Sequence, residues 1–104
     1  MQNITAEEVK ERLDKGEQLN LIDVREFHEH ADFNIGGQLL PLPEIQAFNT
    51  DAIESLKDKE VILYCRSGNR SGQAAMFLDT MGFSNTKNLS GGMLNWEAKF
   101  GRNK

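Results

Sequence analysis

A single cysteine, Cys65, stands in this chain of 104 residues, at the point where the apolar run Val61-Ile62-Leu63-Tyr64 stops and the loop Arg66-Ser67-Gly68-Asn69-Arg70-Ser71-Gly72 begins. A structural cysteine behaves as a small hydrophobe and would sit comfortably inside such a run. At the exit it faces a loop whose residue types suit a tight turn: Gly68 and Asn69 tolerate positive φ, and the small side chains leave backbone N–H groups free to converge on one point. The next helix starts there, adding unpaired N–H groups and the positive end of its dipole. All of these favour an anion, and the thiolate of Cys65 is the anion the chain supplies. Moving a free thiol from ~8.5 to ~6.5 needs about 2.7 kcal/mol of preference for the charged form, which several N–H donors and two arginines can meet. Such a thiolate is a nucleophile, and the same cradle can hold a persulfide or the oxygens of an anionic substrate. The plainer reading keeps Cys65 as an inert strand-end thiol and Arg66 and Arg70 as exposed loop charges.

The remaining candidates are weaker. Asp23 and Arg25 end a neighbouring apolar segment, where ion pairs and hydrogen bonds to the loop suit a scaffolding role better than a catalytic one. His28 and His30, in a stretch with Glu26, Glu29 and Asp32, superficially suggest a metal site. Two positions apart on a helix they do not face the same way, so solvated surface is the favoured reading. Met76, Met81, Met93, Phe77 and Trp96 read as core, with Trp96 at the mouth of the site as the alternative.

The elements that must position these residues are partly legible. Thr5 with Glu8 reads as a capping box, followed by Ala6, Val9 and Leu13 at helical spacing up to Gly16. Residues 19–24 read as a short strand. Leu39-Leu40-Pro41-Leu42 is a candidate edge strand, because proline cannot donate to a ladder. Asp51 and Glu54 read as a capping box opening a short helix through Leu56. Val61–Tyr64, apolar throughout, predicts a central parallel strand covered on both faces. Ala74, Phe77, Leu78 and Met81 predict a helix over 71–81 ended by Gly82. Residues 86–89 read as a last strand, and Gly91-Gly92 leads into a helix carrying Met93, Trp96 and Phe100. This alternation predicts one α/β domain over residues 1–104 with a mainly parallel sheet.

Composition narrows the function classes. A net charge of −4 offers no basic face for nucleic acid. Residues 1–5 lack a basic segment leading into an apolar one, and no run approaches the ~20 apolar residues of a membrane span, so the expected location is cytoplasmic with no membrane partner. One cysteine forms no internal disulfide and suits a free thiol in a reducing compartment, with an intermolecular bridge as the alternative.

At three places in order the chain resembles the rhodanese (thiosulfate sulfurtransferase) family in its single-domain form. Leu21-Ile22-Asp23-Val24-Arg25-Glu26 is similar to the family's first core-strand signature, Cys65 to Arg70 to its active-site loop, and Leu89-Ser90-Gly91-Gly92 with Trp96 to its C-terminal motif. The resemblance implies a rhodanese-like α/β fold, with about five strands in a mainly parallel sheet and helices on both faces. It implies a double displacement: Cys65 takes sulfane sulfur from a small anionic donor such as thiosulfate, becomes a persulfide, and passes the sulfur to cyanide or a thiol. The amides of Arg66, Ser67, Gly68, Asn69, Arg70 and Ser71 would hold the persulfide, with Arg66 and Arg70 drawing in the donor and Asp23 and Arg25 in support. No metal or organic cofactor is implied. A persulfide carrier serving a protein acceptor is the first alternative, and a noncatalytic interaction domain the last. Four residues separate Cys65 from Arg70, where the related cysteine phosphatases and arsenate reductases use five, so those chemistries are a remoter alternative. The segment Asp32 to Gln38 departs from the Gly-His-Ile-x-Gly-Ala pattern of many members, which bears on the approach to the second strand and on the pocket wall.

Overall fold

Ile62 and Tyr64 turn to one side of the strand that carries them, Val61 and Leu63 to the other, and all four are fully buried. Period-two alternation with both faces apolar requires cover on each face of the sheet. A computed structural model describes residues 1–102 and shows that cover. The chain runs β1 (Gln2–Ile4), α1 (Ala6–Asp14), β2 (Leu21–Asp23), α2 (Phe27–Asp32), β3 (Gln38–Leu39), α3 (Leu42–Gln46), a 3₁₀ turn (Asp51–Leu56), β4 (Glu60–Tyr64), α4 (Asn69–Thr80), β5 (Asn85–Leu89) and α5 (Gly92–Phe100). The five strands form one sheet in the order β1-β5-β4-β2-β3, with every pairing parallel. β4 is therefore central, as its continuous apolar run predicts. On one face Ala74, Ala75 and Leu78 of α4 pack with Ile45 of α3 over Ile22, Val61 and Leu63. On the other, Val9 of α1 and Met93 and Trp96 of α5 cover Leu21, Ile62 and Tyr64. Each Val, Ile, Leu or Met side chain among them contributes roughly 1.5–3 kcal/mol when fully buried, and each alanine less.

Several local expectations need correction. α4 begins at Asn69, two residues earlier than the apolar spacing implies, because Gly68 alone takes the left-handed turn (φ +96) and Asn69 is already helical. The register of β3 with β2 ends at Leu39, although the amides of Leu40 and Leu42 still donate to the Asp23 and Val24 carbonyls at 2.8 and 3.0 Å; Pro41, with φ −57, then opens α3 at Leu42. β3 is nevertheless an edge strand, with β1 at the opposite edge. The turn at 51–56 is 3₁₀ and is preceded by Thr50, whose hydroxyl donates to Glu54, so Asp51 is not its cap. β1, α2 and α3 have no counterpart in the periodicity. Met76 is 62% exposed and so lies outside the core, whereas Met93 and Trp96 are inside it. Among the described residues no helix is long and apolar enough to cross a membrane.

Candidate active site

Because β4 is the middle strand, Cys65 leaves the sheet at the centre of its carboxyl edge, where crevices form in open parallel sheets. The loop then bends back on the sulfur. The amide of Gly68 donates to Sγ at 3.1 Å, the amide of Ser71 at 3.4 Å, and the Ser71 hydroxyl lies 3.4 Å away. Burial pushes the thiol pKa up, but the Ser71 hydroxyl, the amides of Ser71 and Gly68, and that of Ser67 together bring it below its ordinary value. Of the six loop residues expected around the sulfur, Ser67, Gly68 and Ser71 thus act on it directly. Asn69 enters the helix.

The two arginines separate. Arg70 is drawn into a bidentate pair with Glu29 of α2, at 2.8 and 2.9 Å, and so is not the free anion-attracting cation the sequence suggests. That pairing holds the Glu29 carboxyl at about 2, down from its usual 4.5. A depressed folded-state pKa contributes stability above the unfolded value that is lost as pH falls through the folded one. Acid titration of stability should therefore show a loss between pH 4.5 and about 2 that Glu29→Gln flattens, read by urea unfolding at each pH. Arg66 remains exposed on the loop and lines a cleft of about 240 Å³ with Phe33, Met93, Leu94 and Arg102.

Behind the loop, α5 meets it end on. The amide of Met93 donates to the Cys65 carbonyl and that of Leu94 to the Arg66 carbonyl, both at 2.9 Å. This approach depends on Gly92, with φ +56, where a Cβ would lie 2.5 Å from both carbonyl oxygens. The Gly91-Gly92 pair thus has a steric reason. Gly92→Ala is expected to cost roughly 2–4 kcal/mol from left-handed strain plus overpacking, and to weaken the Sγ cradle, as measured by denaturant unfolding and by the thiol titration.

Asp23 and Arg25 form a buried pair as expected. Arg25 reaches Asp23 through Nε and Nη2 at 2.9 and 2.8 Å, donates from its backbone amide at 3.0 Å, and gives Nη2 to the Phe33 carbonyl at 2.6 Å. These bonds tie β2 to α2 rather than to the Cys65 loop. His30 is not solvated surface: its Nδ1 lies 2.9 Å from the second Asp23 oxygen, while His28 is exposed. The departing segment closes on itself, with Asn34 donating to the His30 carbonyl and accepting from the Gly36 amide. Gly37 that follows lies against the Tyr64 ring, leaving no room for a Cβ. Trp96 is 1% exposed and packs edge-on to Phe100, which places it in the core and not at the mouth.

Glu29, Asn88 and Gly92 are site residues that periodicity does not single out. Asn88, the last residue but one of β5, is 8% exposed, accepting from Ser71 and donating to the Gly68 carbonyl. Its signal in the sequence is a polar residue beside Leu89 just before the glycine pair.

Comparison with known proteins agrees with this geometry. Residues 5–99 match the rhodanese-like domain. The Bacillus subtilis protein named "Putative sulfurtransferase YtwF" is 38% identical over 101 residues, spanning 95% of this chain and 93% of its own. "Putative sulfur carrier protein YrkF" of the same organism is 35% identical over 97 residues, 92% of this chain, which covers only 51% of that longer protein. Among solved structures, a rhodanese-like domain protein from Staphylococcus aureus superposes with a TM-score of 0.81 at 29% identity, covering 92% of this chain and 91% of that one. With a parallel five-stranded sheet, a cysteine cradled at its central carboxyl edge and a match over nearly its whole length, the chain belongs to the rhodanese-like domain family.

Proposed function

We propose that the chain is a sulfurtransferase, with Cys65 as its nucleophile. In the first half-reaction the Sγ thiolate attacks the outer sulfur of a donor such as thiosulfate. The sulfur–sulfur bond of the donor breaks, sulfite leaves with the bonding electrons, and Cys65 becomes a persulfide. In the second, cyanide or an acceptor thiolate attacks the terminal sulfur, carries it away, and returns the Sγ electrons to Cys65. The amides of Gly68 and Ser71, at 3.1 and 3.4 Å from Sγ, are the observation that carries this reading, because they stabilise negative charge on sulfur before and after transfer. Membership of the family and the naming of YtwF support the same class of reaction.

A second reading, a persulfide carrier between proteins, draws support from two observations. YrkF is named as a sulfur carrier, and of the two loop arginines Arg70 already has its charge matched by Glu29, which leaves Arg66 to attract a small dianion. Incubation with thiosulfate and cyanide separates the two. Continuous thiocyanate production supports the enzyme. A stable mass gain of about 32 Da on Cys65 with negligible turnover supports the carrier, and no mass gain overturns both.

A further inference from the structure

One hydroxyl beside Cys65 has two claimants. Ser71 Oγ lies 3.4 Å from Sγ and 2.5 Å from Oδ1 of Asn88, and Ser71 is fully buried. The other half of the Asn88 amide donates to the Gly68 carbonyl at 3.1 Å, which settles its orientation, since a carbonyl can only accept. Oδ1 therefore faces Ser71 and can only accept as well. A serine has one proton to give. In the neutral site it goes to Asn88, and the Oγ lone pairs face the sulfur, where they receive the S–H of the thiol. When the thiol gives its proton to solvent, the Ser71 hydroxyl can turn to the thiolate only by abandoning Asn88.

We propose that Asn88 is a positioning residue that competes with Cys65 for the Ser71 proton, so that the thiolate content of the site depends on where that one proton lies. The sulfur-transfer reading gives this its use: the proton is available each time charge returns to Sγ and is withdrawn when charge moves out to the terminal sulfur. The inference itself concerns ionisation, and its test needs no sulfur donor.

The charged groups around Cys65 are Arg70 with its partner Glu29, Arg66 on the loop, and the buried pair Asp23 and Arg25 at the end of β2. Tyr64 packs on the opposite face of the sheet from the core that holds Cys65. None of these changes in a cycle of Asn88→Ala, Ser71→Ala and the double variant. The thiolate is followed by its ultraviolet absorbance against pH, with Cys65→Ser as the blank; the single cysteine makes the signal unambiguous.

Asn88→Ala raises the acid dissociation constant of Cys65 by one factor when Ser71 is present and by another in the Ser71→Ala background. The first divided by the second is expected to be about ten, the worth of one hydrogen bond to a charged sulfur. Loosening of the loop alone moves both backgrounds equally, so a quotient of one or less overturns the proposal. Where Asn88→Ala fails to fold, Asn88→Asp keeps the side-chain volume and grips the proton harder. Its quotient is expected below one, and a value of one or more overturns the proposal, whereas sulfur transfer stands or falls by the mass gain alone.

Discussion

Cys65→Ala should abolish thiocyanate formation from thiosulfate and cyanide, with a loss of about 10⁴-fold or more, because no other side chain of the chain can take the place of its only thiol. Cys65→Ser should lose as much. Serine keeps the shape of the cradle and accepts from the same amides of Gly68 and Ser71, but its hydroxyl stays protonated where a cradled thiol ionises. Neither variant should gain about 32 Da on exposure to thiosulfate. Thermal unfolding separates loss of chemistry from loss of fold, since Cys65 is one small member of a core cluster anchored by Ile22, Ile45, Leu63 and Leu78. A variant that folds and still turns over thiosulfate would remove Cys65 from the mechanism.

The largest effect on stability is expected from Arg25→Ala. Asp23 is completely buried, and three of its hydrogen bonds come from Arg25, two of them from the guanidinium. Removing that side chain leaves a carboxylate without its matching charge, a change that costs about 3–5 kcal/mol. The Phe33 carbonyl loses its 2.6 Å donor as well. His30 and the residue-25 amide stay in place and limit the damage. Arg25→Lys should recover only part of the loss, because one ammonium cannot serve both carboxylate oxygens and a carbonyl in the geometry of the guanidinium fork. Urea unfolding reads all three proteins. Asp23 pairs in register with Tyr64, the residue before Cys65, so fraying at the end of β2 should also reach the active loop. A shift under 1 kcal/mol for Arg25→Ala would show the pair to be dispensable.

Whether an element could be seen in the sequence follows from where its stability arises. β4 and α4 were legible because their own residues carry the pattern: four consecutive apolar positions in one, and Ala74, Phe77, Leu78 and Met81 at helical spacing in the other. α1 was legible from its cap, and the Thr5 hydroxyl does accept from the Glu8 amide. β1 was not. Of Gln2, Asn3 and Ile4 only Ile4 is apolar, and they form a strand because β5 offers a free edge at Lys87, Asn88 and Leu89. α2 buries no residue fully and rests on Glu26 and Glu29 capping each other, a signature that the usual Ser or Thr start does not announce.

The same division runs through the site. The local string Cys65 to Gly72 already contained a thiol at a strand exit, a left-handed glycine and a helix start, and these alone aim amides at a sulfur. Composition and period likewise determined the α/β class and the central strand. Only the tertiary structure decided who partners whom. Arg70 and Glu29 are 41 residues apart, and Ser71 and Asn88 are 17 apart. A polar side chain's partner depends on which elements the sheet order β1-β5-β4-β2-β3 sets side by side, and that order is a property of the whole core rather than of any stretch within it.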